Sequence, residues 1–595
     1  MRMTNKIMRN NAAYNINQNK ILQDKLTNQM TNQSKIARPS DDPVVAIRAL
    51  RLRSNVTMTT QYNEKNAEDA KQWLDLTADA MKTVDDVLND LYKQATSAPN
   101  KFETADDLRI YLTQMKQVTK EFYSTANVDY AGRYVFSGYR TDLPITFTAE
   151  DMKEMEKHPI SYNINESFGY QDISRVSYTD YDKLRDGLAG PGAPTTPGDI
   201  DDEHSYEQAV SNDTLYRFRI SYNNLDSLNG TDVEGKPKKL TVTLPEYKDA
   251  TGKVYNNVEM EITMNPGTTP GTNGGLAATV NVVSAVDPAN GDKLTATSNP
   301  PITSVTFPQL DVQEFGDQEE AYKAISEGTC TGIAFVPTSG EMVFSKDFYE
   351  ANFSEAAFAG KDSFQVNYDK SEWKEGDINP VHYFNCTETL RTTGPDVALA
   401  DAQYRKTAYN TQREEGRTQD IYYDVGYNQQ IQVNTRADEI FTHDVQRDID
   451  DFDHFIKHLE DIETLEKNLK EEQAKWPEDS QEYKDYAKRL EGVDKAWTYI
   501  RDNVHTKFEN QISKYQKYMD DSRVAMTDNA TRGSRLVLIK TRLTNQQATY
   551  KELQQDNEGI DITEVAIEMT SADLTYNAAL MATGKIMQTN LMNYI

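Results

Sequence analysis

Cysteine is almost missing from this chain: Cys330 and Cys386 are the two present in 595 residues. So few exclude a disulfide-stapled scaffold; two free, partly buried thiols are expected, and one disulfide stays open because geometry decides it. There is also no run of the roughly twenty apolar residues that a membrane-spanning helix needs. Met1 to Lys20 is Asn-rich and lacks the apolar stretch of a secretory signal, so export, if it occurs, must use a route without a cleaved signal peptide. Positive charge is in deficit: 64 Lys and Arg against 94 Asp and Glu give a net charge of −30. Neither nucleic acid nor an anionic membrane surface is an expected partner for so acidic a chain. The sequence also lacks G-x-S-x-G, G-x-x-x-x-G-K-[ST] and any recognisable Cys/His frame, so no enzyme, no cofactor and no catalytic residue is expected.

What is there lies mostly at the two ends. The length accommodates about four domains of ordinary size, yet the first and last hundred residues read as halves of one object, glycine-poor and heptad-patterned. Leu74, Thr77, Met81, Val84, Leu88, Leu91 and Ala95 step alternately by three and four, the period of a seam facing a partner helix. Leu536, Ile539, Leu543, Gln546, Tyr550 and Leu553 repeat the step, and so do Ile562, Val565, Met569, Ala572, Tyr576 and Ala579. Each arm is the obvious partner of the other. Charge is uneven: residues 1–60 carry ten Lys/Arg against three acids, and 438–472 carry thirteen acids against four Lys/Arg. Solvated helix faces account for this most simply.

Residues 1–36 favour helix but offer only a thin apolar stripe, Met3, Ile7, Tyr14, Ile21, Leu22 and Met30. Alone, such a segment buries too little to offset its ordering entropy and should be disordered or frayed. Ile36 to Pro43 breaks the helix and restarts it, with Asp42 as N-cap and Pro43 at the first helical position. One helix is then expected from Val44 to about Ala95, a turn at Ser97–Asn100, and a returning helix from Ala105 to about Thr125. From Tyr130 to about 435 the texture is β, with strands over Leu215–Tyr222, Lys239–Leu244, Val258–Thr263, Ala278–Val283, Ile333–Pro337 and Glu341–Phe344. Thr338-Ser339-Gly340 reads as a hairpin turn, and Gly187–Gly198 and Asn265–Gly275 as loops. Helix returns from Asp438 to about Lys475, is interrupted at Trp476–Ser480, resumes to about Thr527 and again over Ser534–Asp556. Asp561-Ile562-Thr563-Glu564 fits a capping box opening the last helix, Ile562 to Ile595.

One cluster resembles a metal site. His454 and His458, four apart, can share a helical face with Asp450, Asp451 or Asp461 nearby. No third ligand or supporting shell is evident, and Ile456 and Lys457 replace the Glu of H-E-x-x-H. The simpler expectation is two histidines beside the buried stripe Phe452, Phe455 or Ile456, Leu459 and Ile462, with no metal. The 34 tyrosines suit packing of thin β modules better than a glycan-binding surface.

Arg38-Pro39-Ser40-Asp41-Asp42-Pro43-Val44-Val45-Ala46, after an Asn-rich helix, resembles the N-terminal signature of the hook-associated protein 3 family, the flagellar hook–filament junction proteins related to flagellin. Ala131 to Asp142, ahead of Pro144, looks like that family's exit from its rod, and Ile562 to Ile595 resembles its C-terminal helix. The resemblance covers about 1–145 and 430–595 and implies an α+β multidomain, flagellin-like chain. Residues 1–43 would be an inner helix disordered in the monomer, 44–145 and 431–558 the coiled-coil rod, 146–430 inserted β-rich surface domains, and 559–595 the second inner helix.

It further implies an extracellular structural subunit of the bacterial flagellum, exported through the type III channel. Its partners would be the first hook-associated junction protein, flagellin, further copies in a ring, and an export chaperone. Ile7, Tyr14, Ile21, Arg38, Pro39, Ser40, Asp41, Asp42, Pro43, Ile562, Val565, Met569, Tyr576 and Ile586 are the candidate assembly residues. The rival within the class is a flagellin filament subunit, which usually has alanines after its Asp pair. The rivals outside it are a metal-binding or enzymatic module on His454 and His458, and an adhesin using 146–430.

Overall fold

The computed structural model describes residues 5–36, 38–98, 104–180, 210–355, 358, 363–394, 397–410 and 419–588. The turn at Pro99–Asn100, the 187–198 run, Ala37, residues 1–4 and the end of the last helix, 589–595, lie outside the described residues, as does the side chain of Ile586.

Ten α-helices occur among the described residues: α1 Asn5–Asn32, α2 Pro43–Thr60, α3 Ala67–Ser97, α4 Ala105–Thr125, α5 Ala149–Lys157, α6 Gln318–Ser326, α7 Lys346–Asn352, α8 Asp444–Gln473, α9 Gln481–Glu558 and α10 Ile562–Gln588. No described helix is long and apolar enough to cross a membrane. Helix α2 begins as the sequence requires: the Asp42 carboxylate accepts hydrogen bonds from the Val44 and Val45 amides at 3.0 and 3.1 Å, and Pro43 occupies the first turn. Between α2 and α3 the expected single helix widens into a π-helical turn, Gln61–Asn66. The break expected at 528–533 does not exist, since α9 is one helix of 78 residues. A lone glycine such as Gly533 costs a helix only about 1 kcal/mol, less than the flanking seam returns on burial.

The described chain divides into two compact units: residues 1–75 with 422–433 and 530–595, and residues 76–421 with 434–529. In the second unit helices α3, α4, α8 and the first part of α9 pack together. All the seam residues from Thr77 to Ala95 are buried. Phe452 of α8 stacks on Phe508 of α9 with ring centroids 4.2 Å apart. Buried Asp448 accepts hydrogen bonds from Gln511 and Lys514 at 2.6 Å and from the Tyr518 hydroxyl at 2.9 Å. Helix α4 is tied to α8 by Arg109 with Glu460 and by Lys116 with Asp453.

The β-rich part of this unit begins with a hairpin, β1 Asp129–Tyr130 and β2 Arg133–Tyr134, whose turn residues Ala131 and Gly132 both have positive φ. Next come β3 Ile160–Phe168, β4 Ser174–Thr179, β5 Val210–Arg219, β6 Lys239–Lys248, β7 Val254–Thr263, β8 Leu276–Ala277, β9 Thr279–Val286, β10 Lys293–Thr295, β11 Val312–Glu314, β12 Ile333–Val336, β13 Glu341–Ser345, β14 Phe364–Lys370, β15 Asn385–Arg391 and β16 Tyr404–Tyr409. An antiparallel eight-stranded sheet runs β10-β9-β7-β6-β14-β3-β15-β16, and a six-stranded sheet runs β4-β5-β13-β12-β11-β8. Their inner faces share one core, with Phe218 of β5 edge-on to Phe364 of β14 at 5.1 Å. Strand alternation turns Ala334, Val336 and Val343 to the outer face of the six-stranded sheet, where α6 covers them with Ala321, Tyr322 and Ile325. The β12–β13 hairpin turns at Gly340 (φ 64°), where a Cβ would meet the Tyr222 carbonyl oxygen at 2.0 Å.

In the first unit α2, the π-turn and the start of α3 pack on the second part of α9. Strands β17 Tyr422–Gly426 and β18 Gln429–Gln432 form a hairpin that belongs here, with the Asn66 amide donating to the Asp424 carbonyl at 2.7 Å. Residue 430 therefore falls inside this hairpin. Past Leu543 the seam of α9 moves one position: Gln547, not Gln546, is buried, and Leu553 is exposed. A strict seven-residue repeat drifts on a 3.6-residue helix, and a polar layer fixes the new phase. There Gln547 donates to Thr60 Oγ1 and Glu64 at 2.8 Å, beside the buried Asn63 of the π-turn.

Candidate functional site

The two breaks expected in the terminal arms meet. Ser34 bridges to Gly559, the Lys35 amide donates to the Glu558 carbonyl at 2.7 Å, and Asn557 donates to the Val45 carbonyl at 3.1 Å. Glu558 pairs with Arg53. Gly559 is required, since a Cβ there would lie 2.5 Å from the Gln555 carbonyl oxygen. The Arg38–Pro43 loop is closed by the Asp41 carboxylate accepting from the Arg38 amide at 2.8 Å, and Arg38, Pro39, Ser40, Asp41, Asp42 and Pro43 are all exposed. Asp561 caps α10 by accepting from the Thr563 and Glu564 amides at 2.8 and 3.3 Å.

Beyond these breaks α1 and α10 run antiparallel, with Gln23 hydrogen-bonded to Asp573. Their shared core is small: Leu26, Val565 and Ala572, with Ile560 and Met569 partly buried against it. The less exposed face of α1 is Met8, Ala12, Ile16, Asn19, Gln23 and Leu26. Ile7, Tyr14 and Ile21 therefore stand on the opposite, exposed side, Tyr14 at 64%. On α10, Val565 is buried and Met569 and Tyr576 half-buried, whereas Ile562 is exposed. Helix α10 also carries an exposed stripe that the sequence reading missed, Ile567, Leu574 and Met581. Its seven-residue spacing matches that of Ile7, Tyr14 and Ile21 and was legible in the sequence. Val44, Ile47 and Leu50 add exposed apolar side chains on one face of α2.

Residues 3–141 match the family model for the bacterial flagellin N-terminal helical region. Over that stretch the chain is similar to flagellin. Comparison with curated proteins finds no match. Among solved structures, the flagellar junction protein FlgL from Legionella pneumophila aligns at 10% identity and a TM-score of 0.24, over 87% of this chain and 100% of its own. FlgL from Xanthomonas campestris aligns at 10% identity and a TM-score of 0.24, over 84% and 98%. Likeness at that level adds nothing to the match over 3–141.

The chain holds one further constellation. His454 and His458 share a face of α8, with their Nε2 atoms 3.3 Å apart. Two of the three acids expected beside them are engaged elsewhere: Asp451 pairs with Arg217 at 2.8 Å and with Arg219 at 2.5 Å, and Asp450 accepts from Asn223 and Gln446. The third group is Glu319 of α6, whose Oε1 lies 3.0 Å from His454 Nε2 and 2.8 Å from His458 Nε2. Burial would raise the Glu319 pKa, but hydrogen bonds from both imidazoles hold it well below the usual carboxylate range. Among the described residues these are the three His, Cys, Asp or Glu side chains grouped closely enough to hold a metal ion. Nothing local in the sequence marked Glu319, which is 135 residues before His454.

Proposed function

We propose that this flagellin-like chain is a junction subunit of the bacterial flagellar axis, adapting the hook to the flagellin filament. It would leave the cell through the flagellar type III channel, escorted by an export chaperone, and stand in a ring between the first hook-associated junction protein and flagellin. The observation that carries the reading is the pair of exposed seven-residue stripes, Ile7-Tyr14-Ile21 and Ile567-Leu574-Met581, on the two terminal helices. Exposed apolar stripes of this period are seams without a partner among the described residues. The Arg38–Pro43 loop, exposed between α1 and α2, supports the reading as a further contact surface.

Ordering is coupled to assembly in this reading. Three buried side chains cannot offset the entropy of fixing helices of 28 and 27 residues, so α1 and α10 fray in the free subunit. Hydrogen exchange on the monomer should show fast exchange in 5–36 and strong protection in 70–95; equal protection would sink the coupling. For the function itself, a deletion strain should build hooks and shed flagellin as monomer, and Ile21→Asp with Leu574→Asp should reproduce that loss without altering the rest of the fold. Filaments still attached to the hook in the deletion strain would refute it. The match to a flagellin family model keeps a filament-subunit reading in view; long filaments grown on seeds from the purified chain alone would favour that reading.

A further inference from the structure

We propose that Glu319, His454 and His458 form a binding site for a divalent transition-metal ion of the zinc class, with water in the fourth position. The three ligand atoms already converge, with mutual distances of 2.8, 3.0 and 3.3 Å. A point about 2 Å from all three, the usual length of zinc bonds to nitrogen and oxygen, lies about 1 Å outside their plane. The three ligand atoms therefore already stand at spacings that one ion can bridge. Two imidazoles and one carboxylate suit zinc, nickel or copper, and not calcium or magnesium, which take oxygen ligands throughout.

The ligands are held in place by their surroundings. His454 and His458 are one helical turn apart on α8, and Ile456 and Leu459 fasten that helix by complete burial. Glu319 stands in the first turn of α6, where Asp317 caps the helix by accepting from the Gln318 amide at 2.8 Å. One turn on, Tyr322 is buried, presents its ring edge-on to His454, and donates its hydroxyl hydrogen to Glu341 at 2.9 Å. Asp461 is close enough to both His458 and Glu319 to interact with them electrostatically, adding negative charge around the cation. A bound ion would clip α6, which is packed on the six-stranded sheet, to α8 of the helical part of the same unit.

The test uses the full chain, stripped with chelator, loaded with zinc or cobalt(II), and dialysed. The expected result is one retained ion per chain by elemental analysis, and intense visible bands from four-coordinate cobalt. His458→Ala should weaken zinc binding on the order of 100-fold or more, and the near-isosteric Glu319→Gln should weaken it too, with unchanged circular dichroism in the absence of metal. His505→Ala, which removes a histidine from α9, should bind as the parent does. Failure to retain an ion, affinity unchanged in Glu319→Gln and His458→Ala, or equal loss in His505→Ala would overturn the assignment.

Discussion

Arg217 is the residue on which the join between the six-stranded sheet and α8 can be tested most sharply. Its guanidinium is 4% exposed and lies 2.6 Å from Glu341 of β13 and 2.8 Å from Asp451 of α8. Replacing it by Met keeps the length and removes the charge. Asp451 then keeps Arg219, but Glu341, 2% exposed, loses its ion pair and keeps hydrogen bonds from the neutral donors Gln318 at 2.7 Å and the Tyr322 hydroxyl at 2.9 Å, with Arg219 and Arg447 acting on it only through space. Breaking a buried pair from one side costs about 3–5 kcal/mol, because the stranded charge keeps its desolvation penalty. Urea unfolding followed by near-UV circular dichroism should show a lower midpoint with an unchanged slope. Arg217→Met combined with Glu341→Met should cost less than Arg217→Met alone, since no uncompensated carboxylate remains.

The pH dependence follows from Asp451. Burial would raise its pKa, but Arg217 and Arg219 overcome that and hold it well below the usual range. A depressed carboxylate contributes stability above its unfolded pKa, about 3.9, and loses it as pH falls through the folded value. The part of the parent's stability that rests on Asp451 should therefore persist from pH 8 to about pH 5 and be lost only in strong acid. A single-variant cost under about 1 kcal/mol, or a double variant as costly as the single, would refute the argument.

Asp42→Ala removes the acceptor for the Val44 and Val45 amides and should cost about 1 kcal/mol, with faster hydrogen exchange confined to the first turn of α2. Glu166 is pushed up to about 7 by burial, against hydrogen bonds from Tyr368 and Ser221. A raised carboxyl makes the folded state hold its proton longer, so between about pH 4.5 and 7 its contribution falls as pH rises, by at most about 1.4 kcal/mol per unit; calorimetry of Glu166→Gln should show that slope removed. Cys330 and Cys386 are free and buried, and burial pushes both thiols up to about 12. Neither should react with a disulfide reagent at pH 8 until the chain is unfolded, when both should.

The helical part was legible because its causes are local or periodic. The seam from Leu74 to Ala95, the Asp42 and Asp561 caps, the limits of α4 and the interruption at Trp476–Ser480 rest on spacing and on residues that satisfy nearby backbone groups. The β part was read only where apolar runs were strong. Strands β3, β14 and β15, central in the eight-stranded sheet, went unread because Asn, Glu, Thr and Lys interrupt their alternation, and their pairing depends on partners far along the chain.

At the sites the division is similar. The sequence by itself determined that His454 and His458 share a helix face and that Ile7, Tyr14 and Ile21 recur at a seven-residue interval, because helix geometry turns spacing into position. Only the tertiary structure decided that Glu319 completes the histidine pair, that Gln547 takes over the seam from Gln546, and that α1 meets α10 with the face opposite Ile7 and Tyr14. Each of these depends on which distant segment packs against the helix, and periodicity within one segment carries no information about that choice.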